Sequence, residues 1–361
     1  MNKISIKPVW SIQQGDATAL PPRLIELLVQ VHATGSLLGA CQQLGLSYRH
    51  AWDLVRQGEA HFNATLLHME RGKGSTLSAL GEKLVWADHR ITARLKPVLD
   101  SLASELAAEI SRVRRSEPTV LRMQASHGYA VEQLVDALTR DGLVVERRYG
   151  SSVEAAAALH DGACDVAGFH VPLGPLQAEV LAHYLRWLDR DDLVVVDVAT
   201  RQIGLMVAPG NPKQIHTLAD LARADVRFIN RQAGSGTRLL LEAMLGQQGL
   251  DAARISGFEQ GEFTHAAVSA FVASGMADVG FGLETPARRF RLEFIPMASE
   301  RYFLMCRRES LAMPAMQALL GALQASACRA AIDALAGYQA ADAGRVTPLR
   351  EAFDSLTTDR A

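Results

Sequence analysis

LIELLVQVHATGSLLGACQQLGLSYRHAWDLVRQ (residues 24–57) reads as short helices separated by tight breaks. Leu24, Leu27, Leu28 and Val31 recur at helical spacing and form one apolar stripe. Gly35-Ser36 restarts the chain into a second helix, where Leu37, Ala40, Cys41 and Leu44 face inward. The small pair Gly39-Ala40 would let two helices cross closely. Gly45 supplies a sharp turn, and Ser47 stands where an N-cap is needed. The next helix buries Ala51, Leu54 and Val55 and presents Tyr48, Arg49, His50, Asp53, Arg56 and Gln57 outward. A short helix, a turn and a helix with a polar, cationic outer face is the helix-turn-helix pattern that enters the DNA major groove.

Downstream, HMERGKGSTLSALGEKL (68–84) places Arg71-Gly72-Lys73-Gly74 between two extended pieces, which predicts a β-hairpin wing. Arg71 and Lys73 would reach phosphates beside the groove occupied by Arg49 and Arg56. Net charge over 361 residues is only −2, but its distribution is uneven. Through Arg115 there are 14 Lys and Arg against 10 Asp and Glu, so a basic third precedes an acidic body. Leu84, Ile91, Leu95, Val98, Leu102, Leu106 and Ile110 then repeat at steps of three, four and seven. That pattern predicts a long helix, either packed on its own domain or pairing with its copy in a dimer, with Pro97 as a kink or a junction. RVRRSEP (112–118) reads as a hinge.

From Thr119 the pattern changes to strands alternating with helices: VLRMQAS, LVVERRYG, CDVAGFH, LVVVDV, IGLMVAP, VRFIN, ADVGFGL, FIPM and YFLMCR. The fold class is therefore α+β overall: a winged helix-turn-helix over 1–80, a linker helix over 81–115 and an α/β two-lobed domain over 116–361. Cys41, Cys164, Cys306 and Cys328 show no metal spacing and read as buried thiols. No apolar run reaches the length of a membrane span or a signal-peptide core, so a cytoplasmic protein without a membrane partner is expected.

The body's strongest motif is VRFINRQAGSGTRLLLEAML (226–245). A strand ends at Asn230, and a helix opens after Gly234, Ser235, Gly236 and Thr237, with Arg231 and Arg238 on either side. Free N–H groups and the positive helix end make this an anion seat, although the Gly-Lys-Ser/Thr of a nucleotide P-loop is absent. Similar seats recur at Ser126-His127-Gly128, at Gly150-Ser151-Ser152 and at Thr264-His265. His170 reads equally as a strand-end packing residue or a ligand contact, and Glu284 as a partner of His265, a partner of a ligand amine or a solvent-facing group.

Residues 24–85 resemble the N-terminal domain of ModE, the molybdate-responsive repressor, in ATGSLLGACQQLGLSYRHAWDLV and RGKGSTLSALGEKLV; LysR-type modules are a more distant likeness. The resemblance implies that Ser47, Tyr48, Arg49, His50 and Trp52 lie on or beside the recognition helix, with Trp52 packing in the core. Residues 119–310 resemble periplasmic-binding-protein-like domains of the molybdate- and molybdopterin-related type, through CDVAGFHVP, TRQIGLMVAPGNP, FINRQAGSGTRLLLE, ASGMADVGFGLET and ERYFLMC. That resemblance implies a discontinuous first lobe (about 116–200 and 299–361) and a second lobe over about 201–298.

Together these features predict a ligand-responsive transcriptional regulator, a homodimer or homotetramer on double-stranded operator DNA. Its effector would be a small anion, a molybdate- or tungstate-type oxyanion or an organic anion such as formate, with no other cofactor and no catalytic residues. An enzyme or accessory protein of molybdenum-cofactor metabolism with a tethering DNA-binding-like domain is the alternative. A DNA-architectural protein without a ligand is the third reading.

Overall fold

The structure is a computed structural model that describes residues 4–13, 15, 19–70, 74–114, 119–188 and 190–353. The chain divides into two compact units, Lys7–Leu95 and Met1–Ile6 with Lys96–Ala361.

The smaller unit opens with α1 (Pro22–Thr34), α2 (Leu37–Leu44) and α3 (Tyr48–Phe62). Ser36 and Ser47 each accept a hydrogen bond from the N–H three residues on, capping α2 and α3. Gly45 ends α2 at φ 63°. The stripe Leu24, Leu27, Leu28 and Val31 is buried with Ala51, Leu54 and Val55 in one core. At Gly39 a Cβ would meet the Thr34 side chain of α1 at 3.2 Å, and at Gly58 it would come within 2.6 Å of the side chains of both Leu24 and Leu66. β1 (Leu67–Glu70) and β2 (Gly74–Leu77) pair antiparallel as a hairpin. Arg71 and Lys73, the expected phosphate contacts, lie outside the described residues.

A single helix, α4 (Ala79–Arg114), runs the whole length of the expected linker with Pro97 inside it. Pro97 neither ends it nor divides it. Leu84 is buried in the smaller unit's core, whereas Leu95, Val98, Leu102, Leu106, Ile110 and Val113 are exposed.

In the larger unit, β3 (Val120–Ala125), α5 (Tyr129–Arg140), β4 (Val144–Tyr149), α6 (Ser152–His160) and β5 (Val166–Pro172) are followed by α7 (Gln177–Ala182) and α8 (Leu185–Leu188). The sheet order is β4-β3-β5, all parallel. β6 (Leu193–Val207), β7 (Phe228–Arg231), α9 (Gly236–Gln247), β8 (Gly261–Glu262), α10 (His265–Ala273), β9 (Val279–Leu283) and α11 (Glu284–Arg289) follow. Their order β8-β7-β9 is again parallel, with the first strand in the middle. The two halves therefore share one winding.

β10 (Glu293–Arg307) borders β5 and runs antiparallel to β6 along both halves. The sequence segments LVVVDV and IGLMVAP form one strand, as do FIPM and YFLMCR, because each chain crosses from one half-sheet into the other without a turn. Side-chain alternation along β6 sorts Val194, Val196 and Val198 into one core and Leu193 and Val195 into another. Beyond the crossing, Ile203, Leu205 and Val207 enter a third core and Met206 a fourth. α12 (Pro314–Gln324) and α13 (Ser326–Asp333) cover the first half, while β11 (Tyr338–Gln339) and β12 (Val346–Pro348) add to β6 before α14 (Leu349–Ala352).

Candidate functional site

The shared winding dictates where the polar helix starts go. In each half, two helices begin at the carboxyl ends of adjacent parallel strands, the position where open α/β sheets bind ligands. The starts of α5, α6, α9 and α10 surround a small cleft lined by Ser126, His127, Gly150, Ser151, Ser152, His170, Arg231, Ser235, Gly236 and His265.

Three of these starts carry a capping hydroxyl, and two of the capping residues, Ser151 and Ser235, line the cleft. Ser151 Oγ accepts from Glu154 N, and Ser235 Oγ accepts from Arg238 N. An accepting hydroxyl keeps its own proton for a ligand. Gly236 is obligatory here, since a Cβ on it would meet His170 Cε1 at 2.7 Å.

Arg231 supplies the decisive charge. It is buried, with Nε and Nη2 donating to the carbonyls of Glu262 and Phe263 at 3.2 and 2.7 Å. Neither partner is charged. Burial, with the like charge of Arg201 added, pushes Arg231 down to about 9 despite Glu300. Arg201 and Glu300 face each other across β6 and β10 and are joined by Arg201 Nε to Oε2 at 3.0 Å. The other carboxylate oxygen meets His170 Nδ1 at 3.0 Å. Burial pushes the Glu300 carboxyl up, but His170 and Arg201 outweigh it and hold it at about 2. One carboxylate thus serves two guanidinium groups, and an excess positive charge remains in a desolvated space.

His265 is driven well below the ordinary imidazole range by burial first, then by Arg231 and Arg201. Thr237 Oγ1 and His265 Nδ1 are buried without a hydrogen-bond partner among the described residues.

Of the residues expected at the ligand, the cleft thus gathers Ser126, His127, Ser151, Ser152, His170, Arg231, Ser235, Gly236 and His265. Thr237 and Thr264 are buried behind it, and Thr264 caps α10 by accepting from Ala267 N. Arg238 does not reach it. Its guanidinium is drawn outward to Glu242 and Glu259, at 2.8 and 2.9 Å, and lies over the Phe258 ring. Glu284 pairs with Arg288 one helical turn away, not with His265. Arg201 and Glu300 were missed as site residues. Their signal was weak, because Arg201 and Glu300 share their strands with Asp197, Gln202, Glu293, Arg301 and Arg307.

On α3, Ser47, Tyr48, Arg49, His50 and Arg56 are exposed, and Trp52 is partly buried against the core. Ser47 is the N-cap, so its oxygen is already engaged by His50 N.

The larger unit is thus two equivalently wound halves with a cleft at their helix starts. The sequence model of the PBP superfamily domain matches residues 135–324, more than half of the chain, and the chain belongs to that superfamily. It is 31% identical over 200 residues to the uncharacterised protein YvgK of Bacillus subtilis, an alignment covering 55% of this chain and 64% of that protein. It is 28% identical over 139 residues to the molybdenum-pterin-binding protein MopB of Rhodobacter capsulatus, covering 37% of this chain and 51% of MopB. The chain thus spans less than two thirds of each of these two relatives. Among solved structures, CbnR, a LysR family transcriptional regulator, aligns with TM-score 0.40 and 16% identity over 83% of this chain and 98% of that one. No helix among the described residues is long and apolar enough to cross a membrane.

Proposed function

We propose that the chain is a cytoplasmic, ligand-responsive transcriptional regulator, not an enzyme, that closes on a small oxyanion of the molybdate or tungstate type. The observation that carries this reading is Arg231: a buried cation with no carboxylate of its own among the described residues, at the meeting point of four helix N-termini. An anion bound there completes the charge balance, and donors from both halves surround it in three dimensions. That distribution suits a tetrahedral oxyanion better than planar formate. The winged module, with Arg49 and Arg56 on the exposed face of α3, is the ModE-like output arm on duplex DNA. α4 is the dimer helix, because its apolar stripe from Leu95 to Val113 is uncovered within one chain.

The similarity to MopB favours a second reading, an accessory protein of molybdenum-cofactor metabolism. Against it, the cleft is lined by serines, histidines, glycines and Arg231, without the aliphatic and large aromatic surface that pockets for larger organic ligands carry.

Anion binding acts on DNA binding only through its differential affinity for two arrangements of the protein. Thermal unfolding with molybdate, tungstate, sulfate, phosphate and formate tests the anion. A ligand at about a hundred times its Kd adds about 2.7 kcal/mol, which shifts the Tm by roughly 5–10 °C in a domain of this size. Molybdate or tungstate should give that shift; no shift with any oxyanion would remove the proposal.

A further inference from the structure

One wall of the cleft is tied to α4 by an ionic chain that the anion site itself does not require. His127 lines the cleft, and its Nε2 lies 3.1 Å from Glu132 Oε1 on α5. The same Glu132 oxygen lies 3.1 Å from Lys96 Nζ on α4, and Lys96 is 2.6 Å from Asp100 Oδ2. Asp100 in turn lies 3.5 Å from Arg147 Nη2 on β4. Ligand-type atoms of Asp100, His127 and Glu132 lie within 4.8 Å of one another, a spacing that would hold a cation. The cation there is the Lys96 ammonium.

A second tie runs parallel to the first. β4 is an edge strand, and α4 satisfies its backbone in place of another strand. Ser101 Oγ accepts from Tyr149 N at 3.1 Å, and Ser104 Oγ both accepts from Arg147 N and donates to Arg147 O. β4 leads directly into Gly150, Ser151 and Ser152 of the cleft, and the Tyr149 ring stands edge-on to His127, with centroids 4.9 Å apart. The two cleft elements that hold His127 and Ser151 therefore rest on about two turns of α4, between Lys96 and Ser104.

We propose that Glu132 and Lys96 are positioning residues: they fix the His127 imidazole at the cleft wall and transmit anion occupancy to α4, the helix continuous with the winged module. This rests on the anion-binding reading above. An anion that draws His127 inward changes the hold on Glu132, and Lys96 and Asp100 must follow or lose their partner.

Hydrogen–deuterium exchange on the full chain, with and without sodium tungstate and sodium molybdate, tests it. In the wild type, anion should protect both the start of α9 (residues 235–241) and α4 (residues 96–106). In Glu132→Gln and Lys96→Met, protection at α9 should persist and protection on α4 should be lost, while Lys96→Arg should restore it. Wild-type protection on α4 in both variants would overturn the proposal, as would protection at α9 alone in the wild type. Loss at α9 in the variants would make the two residues merely structural and overturn it too. Protection at neither place in the wild type with either salt would remove the anion-binding reading itself.

Discussion

Arg231 concentrates the chemistry of the molecule at a single residue. Its two carbonyl acceptors orient the guanidinium without cancelling its charge, so Arg231→Gln removes charge and fork geometry together. A hydrogen bond to a charged group is worth about 1.5–3 kcal/mol, so oxyanion affinity by calorimetry should fall by roughly 10- to 150-fold. An unchanged affinity would place the anion elsewhere. The same cluster sets an acid limit on stability. Burial lowers His265 and also His170, where Glu300 opposes the shift and Arg201 adds to it. Unfolded, both histidines take up protons near pH ~6.5, so the folded state is most stable above that pH and loses stability as the pH falls through it. Glu300, held at about 2, adds a second loss as the pH falls from the ordinary 4.5 towards 2. The urea midpoint should therefore drop from pH 7.5 to 5 and again below 4.5, and Glu300→Gln should reduce the second drop, to which Glu132, also held at about 2, contributes. A midpoint flat from pH 7.5 to 4 would contradict this account.

At the scale of elements, the helices and most strands were legible because their boundaries carry local chemistry. Ser36, Ser47, Ser151, Ser235 and Thr264 all accept the N–H bonds that start their helices, as an N-cap signal requires. The long strands were less legible: β6 and β10 each read as two strands, because Ala199-Thr200-Arg201-Gln202 and Ala298-Ser299-Glu300-Arg301 interrupt the apolar pattern. The interruption is the crossing between the halves, and its polar residues are the buried Arg201–Glu300 pair. α3 carries a prediction of its own. Arg49 is exposed and free of a structural duty in the capping of the helix, which falls to Ser47. Each base-reading contact is worth about 1–3 kcal/mol of discrimination. In sequence selection from random duplexes, Arg49→Ala should therefore change the preferred site rather than weaken all sites alike. An unchanged consensus would remove Arg49 from base readout.

At the scale of the whole molecule, two features emerge that no segment shows alone. One is the repeated winding of β3-α5-β4-α6-β5 and β7-α9-β8-α10-β9, which brings four helix starts to one cleft. The other is the uncovered stripe of α4. Buried as a pair, Leu102, Leu106 and Ile110 would gain about 1.5–3 kcal/mol per side chain, so sedimentation equilibrium should show a dimer in the wild type. Leu102→Glu should shift it towards monomer with little change in anion affinity; a monomeric wild type would discard α4 as the dimer helix. The sequence by itself determined the winged module, the long helix, the alternation of strands and helices and the polar helix starts, because caps, turns and periodicity act between residues close in the chain. Only the tertiary structure decided that nine expected residues share one cleft, that Arg238 turns away from it to Glu242 and Glu259, and that Arg201, Glu300, Glu132 and Lys96 belong to the site or its frame. The pairings of Glu300 with Arg201 and His170 join residues 99 and 130 apart in the chain, and burial and charge act on neighbours in space, which no local pattern records.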